Sequence, residues 1–231
     1  MKIGIIGSGN IGGTLTRRFR AAGYEVAVAN SRGPQSLEDL AQETGAHPAT
    51  VEEVARDSDV VVVTIPMKEI KALPRGLFVG ARPDLIVIDT NNYYPRQRDG
   101  RIDEIEAGMT ESGYVEHMLG HPVVKAFNNI MARHLLENGK PAGVPGRIAL
   151  PISGDDPKAK ATVTRLIDAI GFDTVDAGTI AESWRQQPGS PVYIKDYDAE
   201  GVRRALGEAR MERTPDWRAT QDSPGTYASP A

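Results

Sequence analysis

Gly7-Ser8-Gly9-Asn10-Ile11-Gly12 is a G-x-G-x-x-G run set directly behind the apolar stretch Lys2–Ile6. It opens a segment in which Ile11, Leu15, Phe19 and Ala22 recur at helical spacing. Strand, glycine turn and helix in that order make a cradle for a pyrophosphate. Gly7 permits the tight turn, Gly9 lets an anion reach the backbone with no Cβ in the way, and Gly12 lets helix and strand pack closely. The helix start then offers free N–H groups and a partial positive charge. The whole turn, Gly7, Ser8, Gly9, Asn10, Ile11 and Gly12, is assigned to a dinucleotide.

The end of the second strand decides which dinucleotide. A site selective for a free ribose 2′-hydroxyl carries Asp or Glu there. This chain has Asn30-Ser31-Arg32, and Arg32 stands 20 residues after Gly12, the usual offset. Asn30 and Ser31 can donate hydrogen bonds, and the Arg32 fork matches a 2′-phosphate. The reading is NADP(H).

Ligands of open α/β sheets sit beyond the carboxyl ends of the strands, which selects four loops. Thr64-Ile65-Pro66-Met67 offers an apolar side chain and a proline to a nicotinamide pocket. Thr90-Asn91-Asn92-Tyr93-Tyr94-Pro95 and Asn128-Asn129-Ile130-Met131 cluster amides, which donate and accept. They suit a carboxamide or a flavin-like ring edge, and equally suit plain loop capping. Thr64, Ile65, Pro66, Asn91 and Asn128 are the candidate cofactor-binding residues from these loops. In Gly154-Asp155-Asp156-Pro157, Asp155 or Asp156 is read as a helix cap. No nucleophilic triad is evident, and the catalytic residues are left open. His47, His117, His121 and His134 show no metal spacing, so no metal site is expected. His134, near the Asn128-Asn129 loop, is read as a surface residue, with entry into the cleft as the alternative. Trp184 is read as core or interface packing, with the floor of a pocket as the alternative.

The elements that must position these residues alternate regularly. Strands are expected at Lys2–Ile6, Glu25–Ala29, Val60–Ile65, Leu85–Asp89, Val123–Phe127, Ile148–Ser153 and Asp173–Ala177. Several are almost entirely Val and Ile, as in parallel strands covered on both faces. Helical patterns lie between them. Gly23 closes the first, Thr50-x-x-Glu53 fits a capping box, and Ala159–Ile170 ends at Gly171. The pattern predicts an α/β chain with a doubly wound, mostly parallel sheet and right-handed crossovers. Glu137 to Arg147 reads as a Gly/Pro-rich linker, or a flap near the site. Residues 1–190 are assigned to the nucleotide-binding domain and 191–231 to a short helical C-terminal extension. In that extension Asp198–Arg213 reads as one charged helix whose thin apolar side (Val202, Leu206, Ala209) unfits it for a core. A homodimer seated through this segment is expected. Thr214 to Ala231 is polar, with three prolines.

Composition narrows the classes. The chain has 231 residues, 27 basic and 31 acidic, for a net charge of −4. No basic bias points to nucleic acid or an anionic membrane surface. Cysteine is absent, which removes disulfides, thiolate metal sites and a Cys nucleophile. The longest apolar stretch, Val60 to Met67, is far short of the ~20 residues needed to cross a bilayer. A cytoplasmic protein with a small-molecule partner is the expectation.

From Met1 to Pro191 the chain resembles the coenzyme F420-dependent NADP oxidoreductases, which share a Rossmann core with the N-terminal domains of pyrroline-5-carboxylate reductases. The resemblance rests on Gly7-Ser8-Gly9-Asn10-Ile11-Gly12, Asn30-Ser31-Arg32, Val63-Thr64-Ile65-Pro66, Val124-Lys125-Ala126-Phe127-Asn128, Gly154-Asp155-Asp156, Gly171-Phe172-Asp173 and Asp176-Ala177-Gly178. It implies NADP on the first two motifs and a deazaflavin stacked on the nicotinamide. The Ala126-Phe127-Asn128 stretch is also close to the NADPH-binding domain of membrane ferric reductases. The Asn91-Asn92-Tyr93-Tyr94 loop and the charged segment after Pro191 depart from the deazaflavin pattern, both where the second substrate binds. Hydride transfer to coenzyme F420 is the primary reading. An NADPH-dependent flavin or ferric reductase, an imine or carbonyl acceptor, and a non-catalytic NADP-binding regulator stay open.

Overall fold

The computed structural model describes residues 1–211 and 225–230. In chain order the elements are β1 (Lys2–Ile6), α1 (Asn10–Ala21), β2 (Glu25–Ala29), α2 (Glu38–Thr44), β3 (His47–Pro48), α3 (Val51–Asp57), β4 (Val60–Val63) and β5 (Ile86–Asp89). They continue with α4 (Asp103–Glu106), α5 (Glu111–Leu119), β6 (Val123–Lys125), α6 (Ala132–Glu137), β7 (Ala149–Ile152), α7 (Pro157–Ala169), β8 (Asp173–Asp176) and α8 (Ala199–Glu208).

Six strands form one parallel sheet in the order β3-β2-β1-β4-β5-β6. The order reverses at β1/β4, so the crevice between their carboxyl ends is the place where such sheets bind ligands. Both faces are covered. Ile3, Ile5, Val60 and Val62 pack with Leu15 and Phe19 of α1 on one side, while Ile6, Val61 and Val63 pack with Val54 of α3 and Val115 of α5 on the other. This burial on two faces explains the unbroken Val/Ile runs. The capping box of α3 forms as the sequence predicts, with Thr50 Oγ1 accepting from Glu53 N and Glu53 Oε2 accepting from Thr50 N.

β7 and β8 do not join the large sheet. They form a parallel pair of their own, tied to β6 by an antiparallel bridge between Lys125 and Ser153. β6 stops at Lys125, two residues before the expected end, because Phe127 turns left-handed at φ 62°. Such a φ is costly for an aromatic residue and is held by its surroundings; the Phe127 ring packs edge-on against Phe19.

The C-terminal helix corrects two expectations. It spans Ala199–Glu208, and Ala209 caps it in an extended conformation instead of continuing its apolar side. Its stripe is Gly201, Val202, Ala205 and Leu206, all buried, and the last three join Val192, Ala149 and Val175 in a third core cluster over β7 and β8. An i, i+1, i+4, i+5 stripe on a two-strand sheet needs only four small positions, so a thin apolar side suffices. That packing removes the reason for seating this helix on a partner. The Glu137–Arg147 segment is a connection and not a flap at the crevice. It lies where the chain enters β7 and β8, with Lys140 N on Gly171 O and Arg147 clamped to Asp168 and Asp173. The expectation for Thr214 to Ala231 falls largely outside the described residues. Gly225 O accepts from Arg96 Nε, and the Tyr227 ring lies 6.0 Å from the Arg101 guanidinium.

Candidate functional site

The glycine turn does what its spacing requires. Gly7 has φ 112°, and a Cβ there would meet Thr64 O; a Cβ on Gly12 would meet Gly7 O. Only glycine fits either place. Gly9 differs: a Cβ there would touch nothing within 4 Å, so open space lies over it. Gly9 is also the N-cap of α1, without a side-chain cap and with no acidic residue in the first turn. Free N–H groups facing an open concavity, with no carboxylate to compete, fit a pyrophosphate.

Two concavities meet at this turn, sharing Gly9 and Asn10. The first, about 530 Å³, runs along Ser8, Gly13, Arg17, Arg32, Ser36, Glu43 and Arg133. Arg32 lines it and is exposed. Arg17, which sequence reading missed, lines it too, but its fork is held by Glu43 at 2.6 and 2.5 Å. Asn30 acts as the organiser of the loop: its amide donates to Ser8 Oγ (3.1 Å) and Ser36 Oγ (2.9 Å), and its oxygen accepts from Arg32 N (2.9 Å). Ser31 is exposed and lines neither concavity.

The second concavity, about 320 Å³, lies across the β1/β4 switch, lined by Ile11, Thr64, Ile65, Pro66, Asn91, Asn92, Tyr94 and Arg98. Asn91 Oδ1 accepts from Ile65 N at 3.1 Å and so ties the β4 and β5 loops together. Asn92 and Asn128 exchange bonds, Asn92 Nδ2 to Asn128 O and Asn128 Nδ2 to Asn92 Oδ1, both 3.0 Å. Asn128 lies behind the wall, held also by Gln186 O at 2.7 Å and by Gln186 Nε2 at 3.0 Å. Of the two uses left open for the amides, loop capping is what the structure shows for Asn128. Asp156 caps α7 through Lys158 N, as read, while Asp155 accepts from Ile180 N. His134 is at the surface, 2.6 Å from Asp196 Oδ2, and Trp184 is half-buried under Arg185. Among the described residues no group of three or more His, Asp or Glu side chains could hold a metal.

Three features of this wall were missed. Arg98 is fixed by Asp99, whose buried carboxylate takes Arg98 Nε and Nη2 at 2.9 Å each and Tyr94 N at 2.8 Å. The Tyr94 and Tyr193 hydroxyls are hydrogen-bonded to each other, and burial pushes both phenols above the ordinary range. Behind them Lys125 is fully buried, bonded to Asn91 O (3.1 Å), with Asp89 and Glu111 oxygens at 3.9 and 3.7 Å. Ser112 Oγ donates to Asp89 at 2.6 Å. Burial pushes the Asp89 carboxyl up and the Lys125 charge opposes this. The lysine inside an otherwise apolar strand was the available signal.

This strand order, glycine turn and open helix start define a Rossmann fold of the NAD(P)-dependent oxidoreductases. Comparison with known proteins narrows the class. Residues 2–93 match the model of the family described as NADP oxidoreductase, coenzyme F420-dependent. It is similar to the hypothetical protein SMa0349 of Sinorhizobium meliloti, at 31% identity and TM-score 0.72, covering 85% of this chain and 94% of that one. A protein of Arthrobacter sp. FB24, described as a candidate F420-dependent NADP-reductase, shares the fold at 24% identity and TM-score 0.62, over 79% of this chain and 87% of that one. The metalloreductase STEAP3 of Rattus norvegicus is 27% identical over 183 residues, 79% of this chain and 35% of that protein. The chain spans about half or less of the curated relatives it matches. No helix among the described residues is long and apolar enough to cross a membrane.

Proposed function

We propose that this protein binds NADP(H) along the Gly9–Arg32 groove and transfers a hydride between the nicotinamide and a deazaflavin of the F420 type. The observation that carries the reading is the continuity of the two concavities at Gly9 and Asn10. Arg32 would hold the 2′-phosphate of a dinucleotide whose pyrophosphate rested on Gly9, and Thr64–Pro66 with Asn91 would hold its nicotinamide. NADPH supplies the hydride as a co-substrate; the chain binds, orients and excludes water around it. Ile11, Ile65 and Pro66 give that pocket an apolar wall, against which flat rings can stack. The sequence carries no second glycine turn for another phosphate or adenine group, so the purified protein is expected to be colourless.

The length of the STEAP3 match, 79% of this chain, supports a second reading, an NADPH-dependent flavin or ferric reductase. Stopped-flow absorbance separates the two. Oxidised F420 mixed with enzyme and saturating NADPH is expected to bleach. No bleaching of F420, beside rapid turnover of FMN or a ferric chelate, moves the assignment to the second reading.

A further inference from the structure

Hydride addition to a deazaflavin, an imine or a carbonyl leaves an electron pair on a ring nitrogen or an oxygen, and that atom must gain a proton. Asn10, Thr64, Thr90, Asn91 and Asn92 line the acceptor pocket but are poor acids, as guanidinium groups in general are. Tyr94 is the remaining proton-bearing side chain of the lining. Its surroundings are arranged around its oxygen. The Tyr193 hydroxyl is hydrogen-bonded to it, with either oxygen able to donate, and the Asn92 side chain lies beside it. When Tyr193 donates in this pair, the Tyr94 oxygen accepts and its own O–H is left to donate into the pocket. Arg98, locked by Asp99 and by Asn92 O at 2.6 Å, lies with its guanidinium carbon 5.0 Å from the centre of the Tyr94 ring. Asp99 also fixes the Tyr94 backbone. Burial is the largest influence and raises the Tyr94 phenol, with Glu111 adding to it; the Tyr193 bond, the Arg98 cation and the Asn92 side chain act the other way and favour the anion that Tyr94 becomes on giving up its proton.

We propose that Tyr94 is the proton donor to the hydride acceptor, and that Tyr193 is its positioning residue. The proposal rests on the hydride-transfer reading of the same pocket. In the step, the C4–H bond of NADPH breaks with its electron pair and a C–H bond forms on the acceptor carbon. The displaced pair moves to the conjugated heteroatom, which takes the hydroxyl proton of Tyr94. NADP⁺, reduced acceptor and the Tyr94 phenolate remain, and solvent returns the proton. Tyr193 reaches this site from beyond Pro191, so the C-terminal segment completes it.

The test is single-turnover hydride transfer from NADPH to F420 in H₂O and D₂O, for the wild type, Tyr94→Phe and Tyr193→Phe, with NADPH affinity measured by fluorescence. Tyr94→Phe is expected to keep NADPH affinity, which also reports a folded groove, and to slow transfer about 100-fold, the lower range for general acid catalysis. It is expected to lose the solvent isotope effect as well. Tyr193→Phe, which removes one hydrogen bond to the phenolate, is expected to slow transfer about tenfold and keep the isotope effect. Wild-type rate and isotope effect in Tyr94→Phe overturn the proposal and leave the acceptor reading intact. If the wild type leaves F420 unreduced but reduces a cyclic imine or a 2-oxo acid, the acceptor reading falls. The same variants on that acceptor then decide Tyr94 by the same criteria. Reduction of ferric chelate alone, which takes up no proton, or of no acceptor at all, overturns both.

Discussion

At the Gly7–Gly12 turn the groove is lined by backbone: open N–H groups on α1, space over Gly9, and glycines where any side chain would strike a carbonyl. At the acceptor end it is walled by side chains from loops far apart in sequence. Tyr94 meets Tyr193, Asn128 meets Gln186, and Lys125 reaches back to Asn91. A backbone-built site needs only a local pattern of glycines, so a short sequence states it completely. A side-chain-built site depends on which loops the fold brings together, and one substitution can strand several polar groups. The nucleotide end should therefore respond to substitution in affinity, and the acceptor end in stability and rate.

The largest effect sharpens that contrast. Lys125→Met would leave Asp89 and Glu111 in the interior without their cation. Removing one partner of a buried charge cluster costs about 3–5 kcal/mol. Urea unfolding should show a loss of that size; an unchanged midpoint would mean that Asp89 and Glu111 do not depend on the Lys125 charge. On the nucleotide side, Arg32→Ala should weaken NADPH by roughly tenfold to 150-fold, from a lost charge-assisted contact of about 1.5–3 kcal/mol, and spare NADH. Equal weakening of both cofactors would break the assignment of Arg32 to the 2′-phosphate. The smallest effect lies away from both ends. Hydrogen bonds from Thr50 hold the Glu53 carboxyl below its ordinary 4.5, so its stabilising contribution is present above that pH and is lost as pH falls through the lowered value. Glu53→Ala should lower Tm slightly at pH 7, and the gap should close in acid; a gap that persists at pH 3 would put the effect elsewhere.

How much was legible follows from the same contrast. The parallel strands, the turn, the caps at Thr50 and Asp156 and the cofactor class all come from local patterns, and the structure carries each strand core within one or two residues of its expected bounds. The two-residue β3 was invisible because His47–Pro48 has no apolar run; it is an edge strand beside β2. The tyrosine pair was missed because 99 residues separate its members. Gln186 was missed because a buried glutamine in a polar stretch carries no period. The charged helix was misjudged because a two-strand sheet needs less apolar surface than the main core.

The central claim is that NADPH hydride leaves from the β1/β4 crevice of this protein to a deazaflavin. NADPH carrying deuterium at the transferred C4 position, incubated with enzyme and F420, tests it directly by mass spectrometry of the reduced product. The account predicts one deuterium on the carbon that receives the hydride in the deazaflavin ring. NADPH bound at saturation with its label retained, and unlabelled deazaflavin, would contradict it.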